Sequence, residues 1–494
     1  MISKRKVIDL INYSHNRDDN FKKSSDDLRN LIDKFAEQKQ LSALYDYFQK
    51  RYALPESVVK QKIKKRIATS YIYRKALFDR KLALRWIFVS IVKHFGLLFY
   101  ALIYARKRGD VSRYKLIVDG IAEKGELLRF KKLIDLFGKK NVMIIASDRT
   151  IKAEFPDYNI QFIPRFKHYD ILELLKSIWH ELSLGVWLYL RVSISLKINL
   201  FPLISPVVND HLQYSTLFKS NRADYIIQER HYSTSAVKNH LFKKFGGKAF
   251  TCIQKNLLQL DMAFYYCDID YLFSLGHQTS KRFYEYGGRI GQVIPVGSLF
   301  MEYYWFNNPK CTENKFDVVM LGINAMNGYE RMDSYSKFMD DYYDCSRWLV
   351  RFKKDHPSYR IAIKHHSSAG EDKIENEIIS GSGIELLPKA ENSYAVSFSS
   401  KSAVTYGSTM GYELNAHGVP TLFIDPGYRC TILPDRGDAL LNRLRTASYE
   451  SFRDALLSFL NGYSVEKFWS GNPDDLCLNS TNVSERIYKA LSCV

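Results

Sequence analysis

The chain has 494 residues, 46% of them hydrophobic, so it is well above the size at which one core is marginal and has room for roughly two to four domains. A formal net charge of +19 calls for an anionic partner: a nucleic acid, an anionic membrane surface or a phosphorylated substrate. The aromatic residues, 14% of the chain, fall mostly inside periodic hydrophobic segments and build no nucleic-acid signature, so nucleic acid is excluded as the expected partner.

Residues 1–109 are expected to form a basic helical extension. Its first thirty residues carry no apolar run of the signal-peptide kind, and the expectation is a cytoplasmic chain. The segment Asp26–Phe48 is amphipathic, and Gln61–Lys81 is rich in Lys and Arg. The extension ends in the most hydrophobic stretch of the chain, Trp86–Tyr104, whose length is close to that of a bilayer span. Lys93 lies at its centre beside His94, where a charge costs about 2.5–3.5 kcal/mol. Basic residues also flank both of its ends, so an interfacial or core helix is expected in place of a spanning one. A second apolar helix is expected over Ile171–Ile198, carrying Trp179 and Trp187; burial in a core and docking on a membrane both fit it.

Between and beyond these helices the period changes. Tyr114–Asp119, Asn141–Ala146, Asn159–Ile163, Asp224–Gln228, Lys248–Ile253, Tyr271–Ser274 and Gln292–Val296 are short β-rich runs separated by helical sequence, which predicts a parallel α/β sheet. A polar connector follows at 306–314, and then the pattern starts again with Phe316–Gly322, Tyr359–Lys364, Ile384–Leu387, Ser402–Tyr406 and Thr421–Ile424. The expected fold class is therefore α/β, with one Rossmann-like domain over 110–305 and a second over 306–494. Two such domains in tandem place a cleft between the C-terminal edges of their sheets.

The strongest local pattern runs from Ser402 to Gly427, read as strand, small-residue turn, helix and strand. Gly407 permits close backbone approach, and Ser408 and Thr409 supply hydroxyls beside unpaired N–H groups, a combination suited to a phosphate. Glu413, one helical turn later, could accept from ribose hydroxyls. A plain N-capped helix is the competing reading. A second pattern, Arg360–Gly370, ends a strand with Lys364, His365 and His366 where the cleft should open. Adjacent residues on a strand face opposite ways and no carboxylate stands at a ligand spacing, so no metal is expected there. In the first domain Glu229, Arg230 and His231 follow a strand; Glu229 and His231 could supply a base or nucleophile, and a salt-bridged loop is the alternative. The seven cysteines are scattered singly, which argues against a disulfide framework or a zinc site.

The turn with Ser408 and Thr409, Glu413, and then His417-Gly418-Val419-Pro420 before a strand resemble the nucleotide-binding element of GT-B glycosyltransferases. The likeness is to the Kdo-transferase and sialyltransferase types that build capsule and lipopolysaccharide. In those enzymes a strand commonly ends in a Lys-Pro-His-Pro-like sequence; Lys364 and His366 match it by position, while His365 and Ser367 replace the prolines and leave open which histidine binds phosphate. Val296-Gly297-Ser298 matches a further element of such enzymes. The resemblance covers about Asp224–Gly427 and implies a metal-independent transferase without a resident cofactor. It implies a CMP-linked, Kdo-like sugar donor, a glycan or lipid-linked acceptor, and work at the inner face of a cell membrane. Two other readings are a polyol-phosphate transferase using a CDP-alcohol and a non-catalytic basic membrane scaffold.

Overall fold

The structure is a computed structural model that describes residues 21–69, 83–106, 110–162, 169–255, 266–277, 287–308, 314–322, 335–366, 371–426, 445–463 and 473–493. The chain opens with helices α1 (Phe21–Ala36), α2 (Ser42–Tyr52), α3 (Glu56–Thr69) and α4 (Ala83–Ile103), followed by the short strand β1 (Ala105–Arg106). The expected amphipathic segment Asp26–Phe48 is thus two helices, broken over 37–41.

The first sheet is all parallel. It takes β2 (Ser112–Ile121), β3 (Val142–Ala146), β4 (Asn159–Phe162), β6 (Asn221–Gln228), β7 (Ala249–Ile253), β8 (Asp268–Ser274) and β9 (Arg289–Pro295) in the order β4-β3-β2-β6-β7-β8-β9. Strands such as β3 and β7 are buried at every position, which is what a sheet covered on both faces demands of its sequence. Helix α5 (Lys124–Phe137) covers one face and α6 (Thr150–Glu154) follows β3. Between β4 and β6 lie β5 (Tyr169–Asp170), α7 (Ile171–His180), α8 (Val186–Leu196) and α9 (Phe201–Ser220); α10 (Ala236–Lys244) follows β6.

The other face of this sheet is covered by α9 and α10, and the N-terminal helices pack on those two. Leu44, Phe48, Val59 and Ile63 belong to the same core as Ile117, Met143 and Phe250. Gln61 also donates to the carbonyls of Cys267 and Gly287. What the sequence suggested as an extension is in this respect a structural layer of the first domain. The helix expected over Ile171–Ile198 is two helices joined by a π-turn at Glu181–Gly185.

Helix α11 (Leu299–Asn307) leads into the second sheet: β10 (Phe316–Leu321), α12 (Tyr335–Asp355), β11 (Ile361–Lys364), α13 (Lys373–Ile379), β12 (Glu385–Leu386), α14 (Ser393–Phe398), β13 (Ser400–Thr405), α15 (Met410–Asn415), β14 (Thr421–Ile424), β15 (Arg445–Thr446) and α16 (Tyr449–Leu460). Its order, β12-β11-β10-β13-β14-β15, is all parallel and is the 3-2-1-4-5-6 order of a dinucleotide-binding Rossmann sheet. The final helix α17 (Val483–Ser492) returns to the first domain, where Val483, Ile487 and Leu491 pack in one core with Phe130 and Ile134 of α5. The second unit therefore does not run unbroken to residue 494, because the last helix finds its apolar partner on α5.

Candidate functional site

In a doubly wound sheet the ligand crevice lies beyond the strand C-termini where the order reverses, here between β10 and β13. Leu321 pairs with Lys364 on one side and Thr405 on the other, so three strand ends stand level. At strand spacing, Lys364 and Thr405 are about 10 Å apart across the central strand. The structure thus brings Lys364–His366, Gly322 and Gly407–Thr409 to one edge, as the sequence predicted for the first and last of these.

The Thr405 hydroxyl accepts from the N–H groups of Gly407 (3.4 Å) and Ser408 (3.1 Å), and the Ser408 hydroxyl accepts from Met410 N–H at 3.3 Å. These bonds hold the turn tight, with Gly407 buried and Ser408 and Thr409 half-buried. Gly411 in the next turn lets the helix sit on the sheet, since a Cβ there would lie 2.6 Å from the Phe423 ring. The Lys364 amine is buried and donates to the carbonyls of His365 (2.5 Å) and Lys389 (3.2 Å). Burial lowers its pKa, with Glu391 opposing. It ties two loops together in this structure.

The two histidines differ. His365 packs on Gly322, where a Cβ would come within 2.5 Å of Nδ1, and its Nε2 lies 3.4 Å from Glu375 Oε2. His366 is the exposed one. Both have pKa values lowered by burial and by the Lys364 charge, so both are held toward the neutral imidazole. Glu375 was not anticipated from the sequence. It is buried, accepts from Tyr342 Oη (2.9 Å) and Ser346 Oγ (3.0 Å), and burial pushes its carboxyl up to about 7 against those bonds. Its spacing from His365 gives no local signal, because the two residues stand ten positions apart in the sequence and meet only in the fold.

Glu413 lies elsewhere than expected. Its carboxylate is buried, one oxygen accepting from Ser298 Oγ and the other from Tyr394 Oη at 2.7 Å. Burial raises its pKa, partly offset by those two bonds. Both oxygens are engaged at the seam between the domains, so this structure does not present Glu413 to a ribose. The seam explains Val296-Gly297-Ser298 as well. Gly297 has φ +94° and a Cβ on it would stand 2.8 Å from Ser480 Oγ, while Ser298 N–H donates to that oxygen at 2.8 Å.

Glu229 is also buried, at the C-terminal edge of the first sheet. It accepts from Arg129 (2.7 Å), Arg230 (3.0 Å) and Lys255 (3.2 Å), and Glu126 shares Arg230. Burial pushes the Glu229 carboxyl up, but Lys255, Arg129 and the hydrogen bonds outweigh it and the net shift is downward. A base needs a pKa near the working pH, and this one moves away from it. His231 is fully buried, accepts from Lys255 N–H at 3.4 Å through Nδ1, and is pushed down to about 3 by burial, Lys65 and Lys255. An imidazole so placed stays neutral and hidden. The salt-bridged loop is what the geometry builds, in place of a base pair of Glu229 and His231. A depression of about 640 Å³ between α5 and α11, lined by Arg129, Lys132, Glu302 and Phe306 among others, holds none of the expected donor residues.

Among the described residues no group of three His, Cys, Asp or Glu side chains is arranged to hold a metal, and no disulfide joins Cys252, Cys267, Cys345, Cys477 or Cys493.

The two sheets make this a protein of two tandem Rossmann-like domains, the GT-B layout. No family model and no curated protein matches the chain. Several solved structures share the general layout. One is the Staphylococcus aureus MnaA–UDP complex, 9% identical, covering 76% of this chain and 96% of its own, with a TM-score of 0.46. Another is a UDP-N-acetylglucosamine 2-epimerase of Listeria monocytogenes, 11% identical, covering 77% and 96%, with a TM-score of 0.45. A third is HepE of Anabaena with UDP and glucose, 11% identical, covering 77% and 100%, with a TM-score of 0.38.

Proposed function

We propose that this chain is a glycosyltransferase that takes a sugar from a nucleotide-activated donor held on the second sheet. The observation that carries the reading is the row of level strand ends at the switch point, Lys364, Leu321 and Thr405, with the hydroxyl-bearing turn Gly407–Thr409 on one side and His366 on the other. Such a crevice offers the hydroxyls of Ser408 and Thr409 and a neutral imidazole donor to a phosphate, on a turn already held by its own N–H bonds to Thr405 and Ser408, without asking the protein to bury a charge. On this reading Ser408, Thr409 and His366 hold the donor phosphate, and Lys364 and His365 keep the loops that frame it. The finer part of the proposal is a CMP-linked, Kdo-like donor and a glycan or lipid-linked acceptor of a surface polysaccharide, used at the inner face of the membrane without a metal. Glu229 serves as the brace of Arg230 and Lys255, whose charges stand partly exposed at the opposite sheet edge.

The test is a panel of CMP, CDP, UDP and GDP with their sugars, read by thermal shift; UDP belongs in it as the nucleotide held in the MnaA and HepE structures. A saturable shift by one base that drops about tenfold in affinity in Ser408→Ala supports the site, one hydrogen bond to a charged group being worth that much. Shifts unchanged in Ser408→Ala and His366→Ala would sink it.

A further inference from the structure

The first domain carries a broad apolar surface. On α4 the exposed side chains Phe88, Val92, Phe99 and Ile103 recur at helical spacing along one stripe. On α7, the π-turn and α8 the exposed side chains Leu172, Leu175, Trp179, Leu182, Trp187 and Ile194 form a second stripe. The stripes are neighbours. Ala105 pairs with Tyr169, and eleven residues back along α4 His94 Nε2 meets Glu181 Oε2 at 3.0 Å, so α4 and α7 run antiparallel, side by side.

We propose that these stripes form one docking face that lies in the plane of an anionic lipid bilayer, with Trp179 and Trp187 at the headgroup boundary. Each helix has buried residues on its inner side, such as Leu98, Leu174 and Tyr189, so the outer stripe is surplus to the fold. Trp179 is 67% exposed and Trp187 70%, far from what a core would leave. No helix among the described residues is long and apolar enough to cross a membrane, which leaves in-plane binding for this surface.

Charge selects the occupant. Among the described side chains the exposed charged groups of these helices are Lys93, Lys176 and Arg191, with Lys197 just past the end of α8, all cations. Their acids are withdrawn: Glu173 pairs with Lys219, and Glu181 is buried, accepting from Tyr47, Tyr52 and Tyr189 as well as facing His94. A second copy would bring the same cations against themselves across a twofold axis, whereas an anionic leaflet attracts each of them. The face is held rigid from beneath. Gly185 in the π-turn admits Tyr47 and Glu181, since a Cβ there would lie 2.6 and 2.8 Å from their oxygens.

This deepens the membrane part of the proposed function but stands on the surface alone, so vesicle binding and sugar transfer fail independently. The experiment is co-sedimentation of the full chain with phosphatidylcholine vesicles, plain or with about 30 mol% phosphatidylglycerol, together with quenching by brominated lipid. Expected are binding at least about tenfold tighter to the anionic vesicles, and quenching of tryptophan by lipid brominated near the headgroup. Trp179→Phe/Trp187→Phe should keep the binding and lose most of the quenching. Trp179→Ser/Trp187→Ser should keep the melting temperature and lose about tenfold or more in binding. The proposal is overturned if the wild type ignores anionic vesicles or if the serine variant binds as well as the wild type. It is equally overturned if the chain sediments as a dimer that the serine variant dissociates, for then a second copy covers the face.

Discussion

The Ser298 hydroxyl donates to the buried carboxylate of Glu413, joining the N-cap of the linker helix α11 to a helix of the second domain. Tyr394 donates to the other oxygen and stacks on Tyr304 of α11 at 4.6 Å, so the linker helix is fastened to the second domain from two sides. Ser298→Ala leaves a buried carboxylate oxygen without its donor and is expected to lower stability by about 1–3 kcal/mol in urea unfolding. Nucleotide affinity should not change in the same variant. Were Glu413 a ribose ligand, Glu413→Gln would weaken nucleotide binding while Ser298→Ala left it alone, and that pattern would refute the seam assignment.

A second expectation concerns pH. Burial raises the Glu375 pKa in the folded chain to about 7, above its unfolded value, so the folded state holds this proton more tightly. Its contribution to stability is fully present below the unfolded pKa and is lost as pH rises through about 7. Across the window from the ordinary carboxylate range to about 7 the loss is about 3 kcal/mol, a factor of ten in proton affinity being worth about 1.36 kcal/mol. Glu375→Gln should flatten this part of the profile, gaining relative to the wild type as pH rises from 5 to 8 (about those limits, set by the ordinary carboxylate range). Melting temperatures of the two proteins that stay parallel across the range would remove Glu375 from this role.

Gly322 offers a steric test of the same edge. Any side chain there meets His365 Nδ1 at 2.5 Å and Tyr342 Oη at 3.0 Å. Gly322→Ala is expected to cost about 1–3 kcal/mol by overpacking and to push His365 off Glu375. The imidazole resonance of His365 should shift in NMR; an unshifted resonance with unchanged stability would show that the packing there is loose.

Much of the fold was written locally. Phe316–Leu321 and Val142–Ala146 are buried on both faces, so their continuous apolar runs stand out from the helical pattern around them. Arg445–Thr446 escaped because two residues carry no period, and Phe201–Ser220 because its two prolines look like breakers: Pro202 sits at the helix start, where proline is tolerated, and Pro206 lies inside the helix, where buried neighbours such as Ile204, Val207 and Val208 hold the turn in place. The π-turn at Glu181 was hidden for another reason: the hydroxyls that meet its carboxylate, from Tyr47 and Tyr52, lie more than a hundred residues away along the chain. The candidate site divides in the same manner. The turn Gly407–Thr409 was legible because small residues and hydroxyls act where they stand. The roles of Glu413 and Glu229 were not, since a carboxylate is a ligand, a base or a brace according to which distant groups fold against it, here Ser298 and Arg129.

The last prediction separates brace from base at Glu229. Its carboxylate is ionised among Arg129, Arg230 and Lys255, and its folded-state pKa lies below the ordinary value once those cations outweigh burial. The stability it supplies is therefore present above the unfolded pKa, near 4.3 (about the ordinary glutamate value), and is lost as pH falls through the lower folded value. Glu229→Gln keeps the shape but leaves three cations facing one another around a neutral amide. Removing one partner of a buried pair typically costs about 3–5 kcal/mol, so the variant should melt several degrees lower at pH 7 and converge on the wild type in acid. Glu229→Gln/Lys255→Met should recover part of the loss, because it withdraws one of the uncompensated charges. If sugar transfer depends on the cluster only through its shape, turnover of the folded single variant should stay within about tenfold of the wild type. A hundredfold loss of turnover at an unchanged melting temperature would instead make Glu229 the base, and would mean that its cations move away when the acceptor binds.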